Sequence, residues 1–234
     1  MGCQVSLLSC SPDPDRLVAA AARLCYSPAS ARDLAEVFLD EGRVRPFLEK
    51  LRRSGHLSTF EHASFSFAVD GISRVCSHQL VRHRLASYSQ QSQRYVSQEK
   101  AGVVMPRSIR EHPRAREVFE EAVAQTLLAY GRLGALGIPR EDARYVLPHG
   151  GETRMMVTMN ARELLHFFRL RLCRRAQWEI RDLAREMLRL VREVAPGLFA
   201  VAGPGCVETG ACGEDRPCGR PFVDTEDVLA HAVD

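Results

Sequence analysis

Lysine is nearly missing: of 32 basic residues only Lys50 and Lys100 are lysine, and the rest are arginine. Arginine favours forked contacts to phosphates and carboxylates, but a GC-rich genome is the simpler cause of that bias. A large charge excess is missing too. Thirty-two basic residues face 29 acidic ones, leaving +3, less than a dedicated nucleic-acid coat carries. No apolar run approaches the roughly 20 residues that span a bilayer. The opening MGCQVSLLSCSPDPD has neither the basic segment nor the apolar stretch of a secretory signal. A cytoplasmic protein without a membrane anchor is therefore expected. There is no Gly-rich phosphate loop, no internal repeat and no low-complexity linker. What remains is an ordinary globular composition. The chain has 234 residues, 45% apolar and 26% charged, which supports a real core and excludes disorder of the whole chain.

Patterning gives an α+β reading with few strands and long helices. Strands are expected at 3–9, at 63–69 (Phe65 and Phe67 on one side) and at 152–159. Helices are expected at 14–24, twice within 31–53 with a break near Arg45-Pro46, at 72–83, 114–135, 140–146, 160–173 and 177–194. Asp70-Gly71 reads as a turn and 85–99 as a loop. Residues 1–202 form the expected catalytic domain, and 203–234 a Cys/Gly/Pro-rich tail. Cys3, Cys10, Cys25, Cys76 and Cys173 fall in apolar patterns and read as reduced core thiols. Cys206, Cys212 and Cys218 cluster in the tail. Their C-x5-C-x5-C spacing is not a common zinc pattern and no fourth ligand is evident, so no metal site is expected and a disulfide or a mobile tail is preferred.

Three clusters carry chemistry. Arg82-His83-Arg84 leads into a loop of Ser, Gln and Tyr ending at Arg94-Tyr95, a dense donor set suited to a phosphate plus a polar heterocycle. A solvated basic turn is the plainer reading. On a helical wheel Ile72, Val75, Cys76, Gln79 and His83 share a stripe, so Gln79 and His83 would interrupt an apolar face and need partners. His56 to His62, with Glu61, precedes the second strand and suits acid–base or cofactor work; it is not a helical zinc pair. Asn160-Ala161-Arg162-Glu163 opens a helix as a capping box, and a helix start is also an anion site. In that helix Ala161, Leu164, Leu165, Phe168 and Leu172 form the buried stripe. Arg171 lies at its edge, with Arg162, His166 and Arg169 opposite. Snorkelling and pairing with a desolvated group both account for Arg171.

Taken together and in this order, the clusters resemble the flavin-dependent thymidylate synthases. The RHR-x7-S hallmark is matched by Arg82 to Ser92, with Ser87 and Arg94 also in place. The HxxxxEH element is matched by His56 to His62, and NAR-x8-R by Asn160 to Arg171. The resemblance covers at least 56–182. It implies a thymidylate-synthase-complementing-protein-like fold with a central mixed or antiparallel sheet. It also implies reductive methylation of dUMP to dTMP, with methylenetetrahydrofolate as carbon donor, FAD as hydride carrier and NADPH as reductant. No cysteine nucleophile is used. By resemblance Ser58, Arg82, His83, Arg84, Gln90, Asn160, Arg162 and His166 fall at cofactor positions. Gln79, Leu80, Val81, Arg82, Gln90, Gln91, Ser92, Gln93, Arg94, Arg144 and Arg171 fall at nucleotide positions. Arg171 would stabilise charge at the N3–O edge of uracil, and His56 would lie near flavin and pterin. Three positions depart from the usual pattern: Ser89 for Asn, Gln90 for Glu and His166 for Asn. The resemblance also implies a homotetramer with shared active sites. A nucleic-acid-binding module built on the Arg/Ser/Tyr/Gln loop is the alternative, and near-neutral charge and the lack of repeated basic-aromatic platforms argue against it.

Overall fold

Alternation of buried and exposed positions builds the sheet, and two long helices late in the chain each bury one apolar stripe. The computed structural model describes residues 2–37 and 41–231. In chain order the elements are β1 (Gln4–Cys10), α1 (Pro14–Leu24), α2 (Ala31–Val37), α3 (Glu41–Arg53), β2 (Ser64–Ser73), α4 (Arg74–Leu80), β3 (Ala86–Gln90), α5 (Arg107–Arg110), α6 (Pro113–Ala135), α7 (Arg140–Ala143), β4 (Glu152–Asn160), α8 (Ala161–Arg171), α9 (Trp178–Val194), α10 (Gly205–Thr209) and α11 (Thr225–Ala230). Short 3₁₀ turns cover Leu57–His62 and Arg144–Val146. The strands pair in the order β1-β2-β4-β3. Ser66 bonds Thr158 and Asp70 faces Arg154, which fixes an antiparallel register between the central strands. The α+β class expected from patterning is the class found.

By contacts the chain divides into two units. The first comprises Met1–Gln4, Val69–Arg82 and Ser89–Met155; the second comprises Val5–Ala68, His83–Tyr88 and Met156–Asp234. In the second unit Phe65 and Phe168 each meet Phe199 edge-on at 5.5 and 5.9 Å, a geometry that adds to area burial. Ile180, Leu183, Ala184, Met187, Leu188 and Val191 bury one stripe of α9. Near the end of the chain, Phe222 and Val228 are buried and α11 packs on α9. In the first unit Val69, Ile72, Cys76, Leu80, Tyr130 and Met155 are buried. Among the described residues no helix is long and apolar enough to cross a membrane.

Several expectations are corrected. Asp70-Gly71 is no turn: β2 runs through it, with Gly71 at φ +72°. A side chain there would meet the Gly2 carbonyl at 3.0 Å, so glycine lets the strand continue where another residue would be strained. The 85–99 loop contains β3, whose burial alternates although all but the first of its side chains, ASYSQ, are polar. α4 stops at Leu80 rather than 83; of the foreseen stripe Ile72, Cys76 and His83 are buried, Val75 is exposed and Gln79 half-buried, and α4 also buries Ser77 and Leu80. Pro46 lies inside α3 and not at a break. Val44, Leu48 and Leu51 are buried on that helix, and their burial outweighs the one hydrogen bond that proline forfeits. α2 is described to Val37 and α3 from Glu41, and residues 38–40 lie outside the described residues. α5, α10 and α11 were not foreseen. Of the supposed core thiols only Cys76 is buried and Cys25 is exposed; all eight cysteines are free, so the tail disulfide is not formed.

Candidate functional site

In the second unit the chemistry gathers on α8. Asn160 ends β4 in extended geometry and its Oδ1 accepts from the Glu163 backbone N–H at 2.9 Å, capping the helix. The return half of the capping box is absent. The Glu163 carboxylate instead lies 3.4 Å from His83 Nδ1, and both side chains are buried. On the far side of the ring, Arg171 Nε donates to His83 Nε2 at 3.0 Å. An arginine cannot accept, so Nε2 carries the lone pair, Nδ1 carries the proton, and His83 is neutral. Burial, then the charges of Arg171 and His166, push its pKa down to about 4. Burial pushes Glu163 up, opposed by His166. Phe167 and His166 close the ring edge-on at 4.9 and 5.8 Å. The Tyr88 hydroxyl donates to the His83 carbonyl at 2.8 Å.

The foreseen stripe of α8 is observed: Ala161, Leu164, Leu165, Phe168 and Leu172 are buried, while Arg162, His166 and Arg169 are exposed. Arg171 is half-buried, and the structure resolves its two readings in favour of pairing. Its Nε is held by His83, and its two terminal nitrogens make no hydrogen bond among the described residues. Arg162 pairs with Glu61, and Ala161 N–H donates to the Ala63 carbonyl at 2.8 Å, so the Leu57–His62 turn is pinned to α8. Ser58 and His56 belong to that turn or its cap, and both are exposed. Neither side chain bonds the His83 group among the described residues, and Arg84 is likewise exposed.

The first unit assembles the remaining candidates. Gln79, Leu80 and Val81 close α4, with Arg82 exposed just beyond. Gln90 turns inward: its Nε2 donates to Ser77 Oγ at 3.0 Å and to Thr153 Oγ1 at 3.1 Å. Arg74 Nη2 donates to the Gln91 carbonyl at 3.0 Å, and Gln91 N–H donates to the Arg154 carbonyl at 2.9 Å. Ser92 Oγ accepts from Arg94 N–H at 3.2 Å, and Gln93 is half-buried beside it. Arg94 forks onto the Glu141 carboxylate, Nε and Nη2 both at 2.8 Å, while Arg144 Nε donates to the Glu141 carbonyl at 3.1 Å. Glu141 thus ties the 91–94 segment to Arg144.

Patterning missed two residues here, Glu141 and Arg74, and gave Glu163 and Glu61 other roles. Glu163 was read only as a cap. Glu61, read as an acid–base or cofactor candidate, pairs with Arg162, and Glu141 pairs with Arg94. Arg74 has a buried Nε without a partner, and burial, then the charge of Arg144, lowers its pKa. Two guanidinium groups that act on each other make a region of positive potential, which favours an anion.

The comparisons with known proteins agree with each other. The family model described as "Thymidylate synthase complementing protein" matches residues 6–197. The chain is 54% identical over 220 residues to the flavin-dependent thymidylate synthase of Geobacter sulfurreducens, covering 93% of this chain and 94% of that one. It is 46% identical to the enzyme of that name from Clostridium tetani, covering 94% of each chain. It is 44% identical to that from Nitratidesulfovibrio vulgaris, covering 93% and 94%.

Proposed function

The chain belongs to the flavin-dependent thymidylate synthases, and from that premise we propose how its residues divide the work. The reaction is reductive methylation of dUMP to dTMP with methylenetetrahydrofolate as carbon donor. When bound, FAD supplies the hydride that completes the methyl group, after reduction by NADPH.

The second unit's donor set suits a flavin dinucleotide. Arg162 and His166 project outward from α8, and a pyrophosphate takes forked, charge-assisted hydrogen bonds from such cations. With them we assign Ser58, Arg84, Asn160 and the neutral His83 to hold the cofactor, with His56 beside it. The first unit's Gln79, Leu80, Val81, Arg82, Gln91, Ser92, Gln93, Arg94 and Arg144 are assigned to the nucleotide. Arg94 then trades part of its Glu141 pair for the phosphate. Gln90 is reassigned: its amide is spent on Ser77 and Thr153, so it positions the loop rather than touching either ligand.

One observation carries the mechanism, the chain Arg171–His83–Glu163. It anchors the guanidinium by Nε and leaves both terminal nitrogens for the N3–O edge of uracil. As carbon 5 gains electron density, negative charge collects on that edge, and a fixed cation that cannot lose its proton stabilises it. The neutral imidazole orients Arg171 without adding a competing positive charge, and Glu163 fixes its tautomer. The catalytic region is assigned to 1–202 and the segment 203–234 to support. A cytoplasmic homotetramer with shared active sites is the proposed assembly.

Tritium release from 5-tritiated dUMP tests the activity, with FAD, NADPH and methylenetetrahydrofolate each omitted in turn. Release that depends on FAD and NADPH together is expected. Release without flavin contradicts the proposed chemistry. Arg171→Ala should stop release while FAD stays bound; unchanged turnover removes Arg171 from the mechanism.

A further inference from the structure

The second unit contains a cavity of about 630 Å³ that the reaction does not use, and four cysteines line it: Cys173, Cys206, Cys212 and Cys218. Cys173 follows α8 by two residues, Cys206 lies in α10, and the other two sit in the irregular segment after it. The C-x5-C-x5-C spacing lacked a fourth ligand in sequence. The fold supplies one from 33 residues upstream of Cys206.

The segment bearing Cys212 and Cys218 has no regular structure and is pinned from the α8–α9 connection. Arg174 Nε donates to the Arg220 carbonyl at 2.9 Å, and Arg175 Nη1 donates to the Arg216 carbonyl. The Arg174 guanidinium also covers the Phe222 ring at 4.0 Å. These bonds bracket Cys218 on both sides. Charge points the same way. A tetrathiolate around a divalent ion is a dianion, and Arg169, Arg174, Arg175 and Arg220 line this cavity against one acid, Glu214. Arg169 pairs with Glu208 and Arg175 with Glu214, whereas Arg174 and Arg220 have no carboxylate partner among the described residues, and a dianionic centre would answer their charge. Among the described residues no three ligands already stand in a coordinating array; Cys212 and Cys218 are exposed and would turn inward while the Arg216 and Arg220 carbonyls stay held.

We infer that Cys173, Cys206, Cys212 and Cys218 together hold one zinc ion, clasping the end of the chain to the connection after α8. Binding forms four Zn–S bonds and releases the four thiol protons, with no change of oxidation state. The clasp is independent of the methylation assignment.

Metal analysis of the full-length protein, purified from zinc-supplemented medium and dialysed, tests this directly. About one zinc per chain is expected, as a closed four-cysteine site requires. Cys212→Ser and Cys218→Ser alter only the exposed segment and should lose most of the metal with the fold intact by circular dichroism. Cys25→Ser should keep it. Cobalt in place of zinc should show the thiolate charge-transfer and d–d bands of a tetrahedral site. Zinc-free protein whose four thiols all react with Ellman's reagent would overturn the inference. So would a disulfide among the four, or iron with acid-labile sulfide in place of zinc.

Discussion

His83 is uncharged at neutral pH because its neighbours leave no room for a second proton. Arg171 occupies Nε2 as a donor, and the buried ring has lost its hydration. An unfolded histidine titrates near 6.5 and the folded one near about 4, so between these values the unfolded chain binds more protons. This contribution to stability is full above 6.5 and is lost as pH falls toward 4, by on the order of 3 kcal/mol. Glu163 acts oppositely. Its raised pKa lets the folded state take a proton first and returns part of the loss at the acid end. Urea midpoints should therefore fall from pH 7 to pH 5, and His83→Gln should flatten that slope; equal slopes would contradict the neutral assignment. Gln90 makes a second residue-scale case. Removing its amide strands two hydroxyl acceptors, so Gln90→Ala should cost about 1–3 kcal/mol of stability. A residue serving only the ligand would leave the urea midpoint unmoved. His83, Arg171 and Gln90 were all legible as important in the sequence, because motif spacing marks them. Their partners were not: Glu163 lies 80 residues from His83, and Ser77 and Thr153 meet Gln90 only through strand pairing.

At the scale of elements, α8 depends on how its first turn is closed. Asn160 satisfies one of the orphan N–H groups there. Asn160→Ala should cost about 1 kcal/mol and Asn160→Asp should restore it, read as the thermal midpoint without cofactor. If Asn160 serves only the flavin, neither change will move that midpoint. Elements that advertise themselves by apolar periodicity were legible in the sequence: β1, β4, α1, α6, α8 and α9 stand within a residue or two of expectation. β3 was hidden because Ser and Gln fill it, so its alternation is one of burial and not of hydropathy. β2 was cut short because Asp-Gly is the usual dipeptide of a turn, whereas Gly71 takes its positive φ inside a paired strand. Proline misled in the same way at α3, where three buried side chains hold the helix across Pro46.

At the scale of the whole molecule, α6 raises a question that one chain does not answer. It runs 23 residues, yet only Tyr130 on it is buried. Most helical stability in proteins comes from packing an apolar face, not from propensity. Val118, Ala122 and Leu136 recur at helical spacing on one side of this helix or its cap, and all three are exposed, Val118 by 68% and Leu136 by 78%. A second copy of the chain is the occupant that the proposed homotetramer provides. The same assembly would let exposed candidates such as His56, Ser58 and Arg84 find partners that a single chain does not offer them. Light scattering coupled to gel filtration should therefore report four chains for the native protein. Val118→Glu with Leu136→Glu should yield a smaller species, because each carboxylate would have to be desolvated at the contact. Its far-ultraviolet circular dichroism should stay native, since neither side chain is buried within the chain. A monomeric native protein, or a variant that remains tetrameric, would remove this face of α6 from the assembly.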